Sequence, residues 1–549
     1  VCQDHATQQV AENRALEHLV VLATNNIGWQ RLLEITADSN LPEHFYHKPR
    51  LNLYQIAEYL DGNLIGFSGH LGSTVANKLF SNGKPHSDWK QRGERTIKFM
   101  KEIFGPDNFY LETQLMMAHW SKRQVILTNM VRELGQLTKT PVIATPDSHY
   151  ATQEDSELQR ILLCNATHQS IYELRKKDSF SAFFNCNNFH LPSTEEMLEY
   201  GHTEEELNNT VEIENRIEHY TNILQPPSLP SFSCPNNLSP QQYLRELCIK
   251  GWKSKIEGRV DDSLLQEYGA RVKRELGVFE EANLSGYFLI CSDIINYIHS
   301  NGWLPGPARG SVGGSLVSYL VGITELDPIP YNLLFERFYN KARAKGSLPD
   351  IDLDIPSVNR SATIDYIKNK YGQNNVAGII TFHSLGGRES IKAVCRAFKS
   401  IAFEEMNRIT KNIKEGQKIS GELQQMETEL GYQSEIRWTL ENEGNKLEPW
   451  CKLNKDGSLS GPLAKEFEYA MKLENTLNGQ SKHAAGIVIS DSPLKGRCPL
   501  VLDTKEKQLI TGWEMEDVES GGLLKLDILG LSLLSKLMSI NTILEYGKI

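Results

Sequence analysis

Three aspartates alternate with apolar residues in Pro349-Asp350-Ile351-Asp352-Leu353-Asp354-Ile355. A period of two places Asp350, Asp352 and Asp354 on one face of a strand, with Ile351, Leu353 and Ile355 on the other. The apolar face must meet a core. The acidic face carries carboxylates about 7 Å apart, whose repulsion is about 0.6 kcal/mol in water and several-fold more in a half-buried cleft. A divalent cation is the usual remedy, because hard oxygen ligands suit magnesium and a two-metal site needs carboxylates that bridge closely spaced ions. The alternative is a solvated acidic strand face.

Length and composition narrow the class. At 549 residues and 40% apolar residues the chain predicts several globular domains. No stretch approaches the ~20 apolar residues of a membrane span, and the start Val1-Cys2-Gln3-Asp4-His5 has no secretion-signal pattern. Nine cysteines, scattered singly without CxxC pairs, fit a reducing cytoplasmic setting. The net charge of -11 neither supports nor excludes a nucleic-acid partner, since binding depends on where basic groups cluster. The chain opens on Val1, reads as amphipathic helix over Ala11 to Leu33, and closes inside the helical pattern Leu531 to Tyr546, so it reads as a piece of a longer polypeptide.

The first third alternates short apolar runs (Leu64 to Phe67, Asn108 to Leu111, Pro141 to Ala144) with helical patterns, predicting βα units around a largely parallel sheet or barrel. Four prolines between Gln225 and Pro235 mark a linker. Residues 240 to 300 read as helical, and 301 to 380 carry loop and strand motifs. From 381 to 480 the pattern is helical again before strand-like runs return at Ile487 to Ile489 and Leu523 to Leu529, so an α-rich insert divides one α/β domain.

Several constellations could carry chemistry. Gly306 to Ser315 is a glycine-rich loop followed by the helix-like run Leu316 to Leu320, where backbone N–H groups, Arg309 and Ser311 could cradle phosphates. Lys525 and Asp527 interrupt a buried-strand pattern on one face and read either as a structural pair or as a phosphate contact and a further metal ligand. Arg388, Lys392 and Arg396 recur at helical spacing as a basic stripe suited to a phosphate backbone, with Lys399 nearby. Arg337, Lys341, Arg343 and Lys345 form a second basic cluster that could face a triphosphate or template. In the first third, Asp147 and His149 follow a strand end, and His70 and Glu112 could join them at a metal.

These stretches resemble the alpha subunits of bacterial DNA polymerase III, the replicative family C polymerases. The resemblance is carried by Pro305 to Ser315, Gly322 through Pro328, Leu333 to Phe338, Pro349 to Ile355, His483 to Ile489 and Lys525 to Leu531, in order and with fitting separations. It implies a multidomain α/β protein: a PHP-type (βα) barrel over residues 1–225 lacking its N-terminal part, a linker over 226–240, a polymerase-beta-like nucleotidyltransferase palm with a mixed sheet over 241–385 and 481–534, a helical thumb inserted over 386–480, and the start of the fingers over 535–549. It further implies DNA-directed DNA polymerase activity in replication, with primer–template DNA and deoxynucleoside triphosphates as substrates and two Mg2+ ions in the palm. Asp350, Asp352 and Asp527 match the catalytic, metal-holding aspartates, while Asp354 is an additional acid of the motif. Arg309, Gly310, Ser311, Lys525 and Arg337 fall to nucleotide binding, and Arg388, Lys392 and Arg396 to DNA. The PHP part would hold Zn2+ or Mn2+ on His70, Glu112, Asp147 and His149, although His70 stands where many relatives have cysteine and the early ligands are lacking. Sliding clamp, clamp loader and proofreading subunit are the implied partners in a longer chain, and no membrane is involved. Two rival expectations are a PHP phosphoesterase or 3′–5′ exonuclease, and a non-catalytic fragment of a split polymerase.

Overall fold

The computed structural model describes residues 16–81, 83–177, 180–340 and 348–546. The chain divides into two compact units: Leu51–Glu218 and Phe382–Gln480 with the chain up to Gly28, and Trp29–Arg50, His219–Thr381 and Ser481–Ile549.

The first unit holds a four-stranded sheet in sequence order: β1 (Val20–Ala23), β2 (Leu64–Phe67), β3 (Phe109–Thr113) and β4 (Val142–Ala144). β1 pairs antiparallel with β2, and β2, β3 and β4 run parallel. Parallel neighbours require crossovers, supplied by helices Trp89–Phe104 and Lys122–Thr138. Their apolar stripes, including Ile97, Met100, Phe104, Val131 and Leu134, are buried against Phe109 and Leu111. Reading Ala11 to Leu33 as one helix was wrong over its middle. Residues 11–15 lie outside the described residues, Val20–Ala23 is a strand, and the helix begins at Asn26. β-Branched Val20 and Val21 have a ready partner in β2, and such pairing overrides a short 3.6-residue pattern.

The same unit contains the helix-rich segment after Phe382: helices Gly387–Phe398, Phe403–Asn412, Ser420–Leu430, Glu435–Glu443 and Ala464–Leu473. They enclose a core of Ile391, Val394, Ile409, Ile436 and Phe467, which Ile161 and Leu174 join from the N-terminal part of the unit.

The second unit is built on a six-stranded mixed sheet of β5 (Asp352–Pro356), β6 (Val376–Ser384), β7 (Leu477–Ile489), β8 (Leu500–Asp503), β9 (Gln508–Thr511) and β10 (Leu524–Leu531), in the order β8-β9-β6-β7-β10-β5. β10 lies antiparallel to β7 and parallel to β5, with Asp527 opposite Asp352. Alternation sends Leu353, Ile355, Leu526 and Ile528 into a core shared with helix Ser285–Ser300 and its neighbours. Val488, Ile379 and Leu523 belong to a smaller core on the other side. Ala37 and Asn40 of the Trp29–Arg50 segment reach this unit, the latter accepting the Leu502 N–H at 3.2 Å. The proline-rich stretch is docked along the unit, with Gln225 N–H on Ser520 O, Ser228 N–H on Gly522 O, and Leu229 and Phe232 against the larger core. No helix among the described residues is long and apolar enough to cross a membrane.

Candidate metal centre and nucleotide site

Strand β5 begins at Asp352, so Asp350 sits just before the strand instead of inside it as the strict alternation predicted. Pairing of β5 with β10 supplies what neither strand has alone. Residues in register on parallel strands share a face, so Asp527 stands beside Asp352, and Lys525 precedes it on that face. Carboxylate oxygens of Asp350, Asp352 and Asp527 all lie within 4.8 Å of one another, the one such cluster of three potential metal ligands found among the described residues. At that separation each like-charged pair costs about 3–4 kcal/mol at an effective dielectric near 20.

Two basic side chains offset part of this repulsion. Lys525 Nζ is 3.0 Å from Asp527 Oδ2 with both side chains largely buried. Burial works against the ammonium charge, but the bond to Asp527, helped by Asp350, outweighs it and raises the lysine pKa. Arg309 reaches the other edge, with Nε 3.5 Å from Asp352 Oδ2 and Nη1 3.6 Å from Asp354 Oδ1. Compensation is incomplete. Burial, then Asp350 and Asp527, push the Asp352 carboxyl upward, and burial does the same to Asp354 and Glu519. Among the described residues, Asp527 Oδ1 is buried with no hydrogen-bond partner. A buried carboxylate oxygen with no partner among the described residues, on a side chain that converges with two further carboxylates, is what a hard divalent cation satisfies, so the donor set fits magnesium or manganese.

The glycine-rich loop adjoins the cluster. Gly310–Gly314 forms a short 3₁₀ turn before helix Leu316–Leu320, and Gly310 has φ +65°, a left-handed conformation suited to glycine. Ser311 is exposed in that turn. The N–H groups at the start of the following helix, which the sequence suggests for phosphate, are already taken by a protein carboxylate. Glu275 is fully buried; it accepts the Leu316 and Val317 N–H groups at 3.1 and 2.9 Å and the Ser315 hydroxyl at 2.9 Å. Arg271 pairs with it at 2.6 Å and donates to Gly314 O and Leu333 O at 2.6 and 3.1 Å. Arg271 and Glu275 escaped the sequence reading, although their i, i+4 spacing on helix Leu265–Glu281 was the available signal.

The remaining candidates are distributed. Arg337 is exposed on the short helix Phe335–Phe338, while Lys341, Arg343 and Lys345 lie outside the described residues. Arg388, Lys392 and Arg396 belong to the other unit. Arg388 is engaged by Ile413 O at 2.9 Å and by Glu415, and Arg396 Nε donates to Lys392 O at 3.1 Å. Lys399 pairs with Glu173 at 3.3 Å.

His70, Glu112 and Asp147 line one cavity of about 40 Å³. Glu112 is buried, which pushes its carboxyl upward, and it accepts the Gly69 N–H at 3.1 Å and bonds to Thr145. His70 Nδ1 accepts the Gly72 N–H at 2.9 Å. His149 does not line that cavity. Its Nδ1 lies 2.7 Å from Asp147 O, and its ring packs edge-on against Phe183 and Phe189. Three of the four expected residues thus share a cavity, and the fourth, His149, stands beside Asp147, its Nδ1 3.9 Å from Asp147 Oδ1.

A mixed sheet presenting acidic side chains from adjacent strands beside a glycine-rich turn places the second unit in the nucleotidyltransferase-like class. Residues 242–530 match the family described as the bacterial DNA polymerase III alpha NTPase domain, and residues 4–115 match the PHP domain. The chain belongs to the bacterial DNA polymerase III alpha family. It is 34% identical over 523 residues to a DNA polymerase III subunit alpha of Borreliella burgdorferi, covering 94% of this chain and 41% of that protein. The subunits of Aquifex aeolicus (33%, 95% and 44%) and Bacillus subtilis (32%, 96% and 42%) are similarly related. The chain thus spans about two fifths of the length of these curated relatives.

Proposed function

We propose that this chain provides the palm, thumb and PHP parts of a replicative DNA polymerase, with residues 386–480 as the thumb and the four-stranded sheet as part of a PHP barrel. The reaction is template-directed transfer of nucleotides from deoxynucleoside triphosphates to a primer 3′ hydroxyl. The observation that carries this reading is the convergence of Asp350, Asp352 and Asp527, with one oxygen of Asp527 buried and without a partner among the described residues.

Asp350, Asp352 and Asp527 would hold two magnesium ions, which when bound supply charge neutralisation and activation of the attacking oxygen. The protein residues position and screen. Lys525 fixes the Asp527 carboxylate from within the strand and keeps positive charge at the base of the site. Arg309, poised between Asp352 and Asp354 at the edge of the cluster, is placed to exchange those weak contacts for phosphate oxygens, assisted by Gly310, Ser311 and Arg337. Arg388, Lys392 and Arg396 would bind primer–template backbone, Arg388 after exchanging Glu415 for phosphate. In that setting the longer protein would work with the sliding clamp, clamp loader and proofreading subunit.

Primer extension with Mg2+ by the full-length protein and its Asp350→Ala variant tests the reading. A loss of at least about a thousandfold in kcat at unchanged fold is expected; extension at the wild-type rate by Asp350→Ala would refute it.

A further inference from the structure

Asp527 occupies the last paired position between β7 and β10. The register runs from Ile489 opposite Leu524 to Gly486 opposite Asp527, so Ala485 and Ile528 are the next residues out, where the two strands part. Their carbonyls are taken by one side chain: Arg360 Nε donates to Ile528 O at 2.9 Å and Nη2 to Ala485 O at 3.1 Å. Arg360 opens helix Arg360–Tyr371, shortly after the end of β5, the strand that carries Asp352. One guanidinium therefore connects the three chain segments that must agree for the acidic cluster to form. Gly530 leaves room for it, since a Cβ there would lie 3.2 Å from Arg360 Cδ and 3.3 Å from Ser357 Cα. Arg360 itself lies outside the motifs singled out in the sequence, and its half-buried guanidinium satisfies two backbone carbonyls just beyond the end of the β7–β10 pairing.

We infer that Arg360 is a positioning residue for the metal centre: by bridging Ala485 and Ile528 where the β7–β10 ladder ends, it fixes the backbone of Asp527 relative to β5 and so sets the separation of Asp527 from Asp350 and Asp352. The inference rests on the proposed metal reading of those aspartates. It is not a ligand itself. Like the outer partners of metal ligands generally, it acts through the geometry of the group that binds, and loss of such partners typically weakens metal binding 10- to 100-fold.

The test is titration of this chain with Mn2+ at 25 °C, followed by calorimetry and by water-proton relaxation, with thermal melting recorded in parallel. Arg360→Met keeps the aliphatic stem and removes both donors; its Mn2+ dissociation constant should rise about tenfold or more. Arg360→Lys restores the charge but cannot span both carbonyls, and should lose at least about threefold. Arg497→Met is the comparison for a purely structural loss, since Arg497 binds Ser490, Asp491 and Ser492 in the same unit; it should melt earlier and bind Mn2+ as the wild type does. Wild-type Mn2+ affinity in Arg360→Met overturns the inference. Should that variant fail to fold, Arg360→Lys decides, and wild-type affinity there overturns it equally. Asp527→Asn separates the two levels: if it binds Mn2+ normally, the metal reading itself fails, whereas if it loses binding and Arg360→Met does not, only the role of Arg360 falls.

Discussion

Replacing Glu275 by alanine should cost more than its distance from the aspartates suggests. The carboxylate has no exposed surface and receives four donors: Arg271, the Ser315 hydroxyl and the N–H groups of Leu316 and Val317. Removing it leaves the Arg271 charge in a site where its side chain is only 13% exposed, with two backbone donors unsatisfied. Breaking a buried ion pair in this way costs about 3–5 kcal/mol. At about 2–4 °C per kcal/mol for a unit of this size, the corresponding melting transition should fall by roughly 6–20 °C. Glu275→Gln, which keeps the shape and one acceptor but turns an amide donor toward Arg271 or the N–H groups, should fall by less. Because the same carboxylate holds the start of helix Leu316–Leu320 directly after the Gly310–Gly314 turn, triphosphate binding should weaken in step with the loop's disorder. Thermal melting by near-ultraviolet circular dichroism and equilibrium binding of a deoxynucleoside triphosphate in Mg2+ check both effects. A melting change under about 2 °C for Glu275→Ala would refute the argument that this pair organises the loop.

Two further outcomes are expected. Lys525→Ala leaves Asp527 buried beside Asp350 and Asp352 without its cation, so melting should drop by several degrees and be largely restored by saturating Mg2+, about 2.7 kcal/mol at a hundredfold excess over the dissociation constant; failure of Mg2+ to restore it would count against a metal at these aspartates. Glu474 is buried beside Ser434 and Ile436, and burial lifts its pKa from 4.5 to about 8. A carboxyl raised on folding stabilises most below its unfolded pKa. Its contribution, at most about 4–5 kcal/mol at 1.4 kcal/mol per pH unit, is lost as pH climbs from 4.5 to about 8. Melting of the unit containing Phe382–Gln480 should therefore decline over that window, and Glu474→Gln should flatten the decline; an identical pH profile in the variant would show that another group is responsible.

Much of the site was legible in the chain because strand alternation is a local rule. It puts Ile351, Leu353 and Ile355 in the core, and it puts Lys525 and Asp527 on one face. Other features follow from packing that no local pattern encodes. The ring of His149 packs edge-on against Phe183 and Phe189, neighbours that nothing in the local pattern around Asp147 and His149 announces. The helix after the glycine loop has the form of a phosphate site, yet a glutamate on another helix fills it.

By itself the sequence determined which groups carry charge, which faces of short segments are apolar, and the family to which the ordered motifs belong. Only the tertiary structure decided that Asp527 stands opposite Asp352, because register between strands separated by a long helical insertion depends on the shared core beneath both and on side chains such as Arg360 at the point where strands diverge. Charges repel at a separation, and separation is a property of the folded chain.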